Sequence, residues 1–73
     1  MNNVSHELKI RHTIELSIDL LNQIQDYTYN AISCSWYSDV SGLNHCIRTI
    51  ALCAKALAEN SGDLKAFEQE VKK

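Results

Sequence analysis

The chain has 73 residues, 45% of them apolar, no proline and a net charge of −2. A domain of this size buries only about 60% of its unfolded surface, which leaves little volume for an enclosed catalytic pocket. The apolar content argues against disorder, and the acidic balance against a protein built to coat nucleic acid.

The first element contains LKIRHTIELSIDL, Leu8 to Leu20. Its even positions are apolar except His12, and its odd positions are polar, the alternation of a half-buried strand. A strand from 8 to 20 would far exceed the usual five or six residues. It would also find no pairing strand later in the chain, leaving its backbone hydrogen bonds unmet unless a second copy supplied them. A helix resolves the conflict. Ile10, Ile14, Ser17, Leu21, Ile24, Thr28 and Ala31 then fall at alternating spacings of four and three, a heptad seam. Ile18 flanks the seam on one side, Leu20 and Tyr27 on the other, and Leu16 lies further round. The apolar surface is thus wide enough for two neighbours. The predicted helix covers about 5–33, with Ser5 as N-cap and Glu7 in the first turn.

The stretch SCSWYSDVSG is rich in turn and cap formers and predicts a loop over about 34–41, with Asp39 or Ser41 capping the next helix. That helix is predicted over about 42–60. Its seam is Leu43, Ile47, Ile50, Ala54 and Leu57, flanked by Cys46 and Cys53 on one side and by Ala51 and Ala58 on the other. Asn60, Ser61 and Gly62 form a stop signal. A short third helix is expected over about 63–72, capped by Asp63, with Leu64, Phe67 and Val71 on one face and Lys72 and Lys73 at its end.

The expected fold class is therefore all-α: a helical hairpin plus a short C-terminal helix in a single domain. At 1.5 Å per residue, the first helix would be about 40 Å long and the second about 27 Å. The second cannot then cover the first, which predicts a dimeric helical bundle, a monomeric three-helix bundle being the alternative. The dimer seam is expected to use Ile10, Ile14, Ile18, Leu21 and Ile24 with Ile47, Ile50, Ala54 and Leu57.

No chemistry-bearing motif stands out. Cys34, Cys46 and Cys53 are odd in number and without tight pairing. MNNVSHELK lacks an apolar signal core, and no run approaches the roughly 18 apolar residues of a membrane span. These features predict a reducing, cytoplasmic setting in which the cysteines act as small buried hydrophobes. Cys34, His45 and Cys46 make the nearest approach to a metal set, but adjacent His45 and Cys46 point about 100° apart on a helix, and Cys46 and Cys53 lie too far apart to share an ion. No nucleophile has a local motif or an oxyanion turn, and no glycine loop suits phosphate. No cofactor, metal or catalytic activity is expected.

Two kinds of macromolecular contact remain. Trp36 and Tyr37 sit in the serine-rich break, where aromatic residues act either as a core anchor or as a binding hot spot. With Tyr29, Asp26 and Asp39 they would form an acidic, aromatic surface suited to a protein partner. The alternative is a DNA-binding regulator of ribbon-helix-helix or helix-turn-helix type, contacting nucleic acid through Lys9, Arg11 and Arg48.

A single tiny domain, long helices, unpaired cysteines and no catalytic motif together make a chain that resembles the small accessory proteins of lambdoid phage early regions. The resemblance lies in overall style and transfers no site residue. It implies a protein that modulates infection or lysogeny by binding a host or phage macromolecule.

Overall fold

The computed structural model describes residues 3–71, with side-chain surroundings for residues 5–70. Two helices make up the fold: α1 spans Asn3–Trp36 and α2 spans Val40–Val71. They form an antiparallel hairpin whose principal extents are 56 × 16 × 14 Å. Leu8 to Leu20 is helical throughout, and among the described residues there is no strand. A recognition ribbon built from LKIRHT is therefore not the form this segment takes.

The phase of the seam differs from the expected one. The α1 positions drawn in against α2 are His6, Ile10, Thr13, Ser17, Leu20, Ile24, Tyr27, Ala31 and Cys34. The α2 positions are Leu43, Cys46, Ile50, Cys53, Leu57, Asn60, Leu64 and Phe67, with Cys46 and Cys53 the most deeply buried at 4% and 6% exposure. Thr13, Leu20 and Tyr27 thus replace Ile14, Leu21 and Thr28, and Cys46 and Cys53 replace Ile47 and Ala54. Full helix length explains the choice. Extended along α2, the expected phase would bring Ser61 and Glu68 into the seam, whereas the observed phase brings in Asn60 and Phe67. Extended along α1, the expected phase would draw in Glu7 and Ser35 where the observed one draws in His6 and Cys34. The observed phase buries more apolar area and no carboxylate.

Polar residues within the seam are hydrogen-bonded. The Ser17 hydroxyl donates to the Thr13 carbonyl at 2.7 Å and accepts from Asn60 Nδ2 at 3.2 Å. Thr13 donates to the Lys9 carbonyl one turn earlier, as Thr49, beside the seam, does to the His45 carbonyl. The Ser17–Asn60 pair fixes how far one helix slides along the other, as a buried polar pair does in coiled coils.

The second correction concerns α2, which runs unbroken through Asn60–Gly62 and leaves no separate third helix. The expected helix break rests on local residue preference alone. A helical glycine costs only about 1 kcal/mol relative to alanine, and a helix stopped at residue 60 would forfeit the packing of Leu64 and Phe67. Phe67 meets the His6 ring edge-on at a centroid distance of 5.2 Å, and His6 Nε2 reaches Glu70 Oε2 at 2.8 Å. With helices of 34 and 32 residues, α2 covers nearly the whole length of α1. Unequal helix length therefore no longer supports a second copy. The expected placement of Lys72 and Lys73 lies outside the described residues.

The connection is only Tyr37–Asp39. Ser38 adopts a left-handed conformation, φ 56°. Its N–H donates to the Ser35 carbonyl at 3.3 Å, and the Asp39 N–H donates to the Cys34 carbonyl at 2.9 Å. This is the paired pattern that closes a helix C-terminus, with serine where glycine is usual. Asp39 then caps α2: its Oδ1 accepts from the Gly42 N–H at 2.9 Å.

Candidate interaction surfaces

The shift of phase leaves a second set of apolar residues outside the hairpin. Ile14, Ile18, Leu21 and Ile32 are exposed on one flank of the α1 seam, and Ile47, Ala51, Ala54 and Ala58 on the corresponding flank of α2. Antiparallel helices sharing a seam are related by a local two-fold axis, so corresponding flanks lie on the same side. The eight residues therefore form one face, completed by Gln25 and Thr28. None of these positions carries a charge. Of the five α1 residues expected in a dimer seam, Ile10 and Ile24 serve the hairpin itself, while Ile14, Ile18 and Leu21 stand free of it. On α2, Ile50 and Leu57 face α1, and Ile47 and Ala54 stand free.

The other flank is more polar. Cys53 Sγ donates to Gln23 Oε1 at 3.8 Å, and the Tyr27 and His45 rings meet edge-on at 6.1 Å.

At the turn, Trp36 and Tyr37 are 76% and 81% exposed, so neither anchors the hairpin core. The turn is too short to fold either ring back over the seam. Tyr29 lies two helical turns before Trp36 on the outer side of α1 and is also exposed, as is Asp26 one turn nearer the open end. Asp39 holds the first turn of α2, the capping role expected of it or of Ser41. Its carboxylate also lies beside Cys34. Burial, and then the Asp39 charge and Cys46, push the Cys34 thiol up from its ordinary 9.0, which weakens it as a nucleophile at neutral pH. All three cysteines are free thiols.

Val40, Ile32 and Leu52 are exposed hydrophobics that sequence reasoning did not single out. Ile32 was within reach, since it continues the seven-residue spacing of Ile18 and Gln25. Val40 falls within the expected loop of about 34–41 but opens α2.

The cations weighed for nucleic acid do not converge. Lys9 and Arg11 are two residues apart on α1 and point to nearly opposite sides, and Arg48 lies on the outer side of α2. Among the described residues no group of three or more potential metal ligands comes together, and no helix is long and apolar enough to cross a membrane. Comparison with protein-family models, with curated proteins and with solved structures finds no match to this chain.

Proposed function

We propose that the protein is a non-enzymatic regulator or adaptor that pairs with itself as a dimeric helical bundle and binds another protein, of host or phage origin. The observation that carries this reading is the uncharged face of Ile14, Ile18, Leu21, Ile32, Ile47 and three alanines left uncovered by the hairpin. Monomeric proteins rarely leave contiguous apolar patches beyond a few hundred Å² without using them. Self-association covers that face, and the exposed Trp36–Tyr37 end stays available for a different partner, as aromatic hot spots do. The free thiols suit a reducing compartment such as the cytoplasm.

Light scattering on the wild type and on Leu21→Asp tests the self-pairing. The wild type should give twice the chain mass, and Leu21→Asp the mass of one chain with its helical circular dichroism retained, since Leu21 lies outside the hairpin seam. A wild type that stays monomeric at high concentration would refute the pairing. Partner capture with Trp36→Ala as the matched bait tests the other end: a protein held by the wild type should be lost, and an unchanged catch would remove Trp36 from the interface.

A further inference from the structure

We infer that the occupant of the apolar face is a second copy arranged about a two-fold axis parallel to the helices, so that α1 of each copy packs on α2 of the other. Both Trp36–Tyr37 turns then emerge at the same end of a four-helix bundle. This rests on the self-pairing proposed above and fixes its geometry.

The exposed area calls for one more layer. The chain as a whole exposes 5897 Å². A compact folded chain of 8.3 kDa exposes about 4,600 Å². The excess, about 1,300 Å², is more than the roughly 800 Å² that each partner contributes to a standard interface. One additional layer of helices on one face is enough to absorb it.

Side-chain size selects the axis. The α1 half of the face is bulky at its centre (Ile14, Ile18, Leu21), and the α2 half is small apart from Ile47 (Ala51, Ala54, Ala58). The Ser17–Asn60 and Gln23–Cys53 contacts set the heights at which these rows meet. Ile18 is level with Ala58, Leu21 lies between Ala54 and Ala58, and Thr28 is close in height to Ile47. A two-fold axis along the helices preserves height and exchanges α1 with α2. Ile18 and Leu21 of each copy then meet alanines of the other, and all four helices stand at similar spacing. An axis across the helices would instead place isoleucine and leucine against their own copies on one side and alanine against alanine on the other. Two rigid hairpins cannot fill both gaps at once, because alanine rows require a closer approach than bulky rows allow.

Charge does not oppose the pairing. Over the central stretch the face carries none, so pairing strands no carboxylate or ammonium in the interface. The charged residues on these flanks, Glu7, Arg11, Lys65 and Glu68, all lie toward the open end of the hairpin.

In this arrangement the two turns stand side by side. Two copies each of Trp36 and Tyr37 make a single aromatic end, where the other arrangement would put one copy at each pole.

Pulsed dipolar spectroscopy tests the geometry without touching the cysteines. Tyr37, which is exposed, is replaced by p-acetylphenylalanine and spin-labelled at its ketone. Labels at one end of the bundle should lie within about 35 Å, since neighbouring helix axes are about 10 Å apart and the label arms add the rest. A distance near the 56 Å length of the hairpin, or no resolved distance from a sample of dimeric mass, would overturn the parallel axis and leave self-pairing standing. A monomeric mass for the same sample would overturn both. Leu21→Asp in the labelled chain should abolish the short distance, and a distance that persists would show that a different face mediates pairing.

Discussion

Gly62→Ala separates a continuous α2 from a helix that stops at Asn60–Gly62, because the two arrangements give opposite signs. In the structure Gly62 lies inside α2, its φ is not positive, and a Cβ built on it meets nothing within 4 Å. Alanine there restricts the unfolded chain and clashes with nothing, so it should stabilise the fold by about 0.8–1 kcal/mol. For a domain of this size, that raises the midpoint of thermal unfolding by roughly 4–8 °C. If residue 62 instead ended a helix in the left-handed conformation, alanine would destabilise it by about 1–2 kcal/mol. Thermal unfolding followed by circular dichroism reads the sign directly. Both proteins must be at the same chain concentration, because self-association makes the midpoint concentration-dependent. A lower midpoint for Gly62→Ala would refute the continuous helix.

The other glycine should respond in the opposite direction. A Cβ at Gly42 would collide with the Asp39 carboxylate and come within 2.9 Å of Cys34 Sγ, so Gly42→Ala should lose about 1 kcal/mol through disturbance of the cap; an increase in stability in the same melts would mean the cap is not formed. Cys34 provides a chemical readout: its alkylation by iodoacetamide at pH 8 should be slower than that of a free cysteine, and Asp39→Asn, which keeps a capping side chain and removes the charge, should accelerate it. Since folding raises the Cys34 pKa above the ordinary 9.0, the fold holds the proton more tightly than the unfolded chain does. The associated stability is therefore complete below about pH 9 and is lost as pH rises through the folded value. Cys34→Ser should remove that alkaline loss, and an unchanged alkaline profile would contradict the assignment.

The break between the helices was legible because Ser33, Ser35, Ser38, Asp39 and Ser41 crowd into one short stretch, and the cap by Asp39 follows from the same residues. The phase of the seam was harder to read. Ile10, Ser17, Ile24 and Ala31 belong to both candidate seams of α1, as do Leu43, Ile50 and Leu57 in α2, and only the far ends decide between them. Truncating α2 at Gly62 removed Phe67 and Glu68 from that decision. The width of the apolar surface of α1 is legible in the sequence, but its division is not: Leu20 and Tyr27, expected beside the seam, lie in it, and Ile14 and Leu21, expected in the seam, stand outside it with Ile18. What composition could not show is that the alanines of α2 share their side, because that depends on the phase at which the two helices meet. The exposure of Trp36 was also hidden. A lone tryptophan in a break of ten residues can fold back, whereas one followed by a turn of Tyr37–Asp39 alone cannot.

The hairpin has a single short connection, and this orders its assembly in time. Every contact between α1 and α2 spans the same turn, so the chain separating two partners grows steadily with distance from it, from Cys34 beside Gly42 to His6 beside Glu70. Closing the first layers traps very few residues, and each later layer is brought close by the one before it, so loop-closure entropy is met in small steps. The molecule is in effect a one-dimensional zipper with its origin at Ser38. Unzipping starts at the opposite extreme, where His6 and Glu70 meet through half-exposed side chains, far from the turn that carries the aromatic pair. Loss of the outermost layers therefore leaves the Trp36–Tyr37 end still assembled.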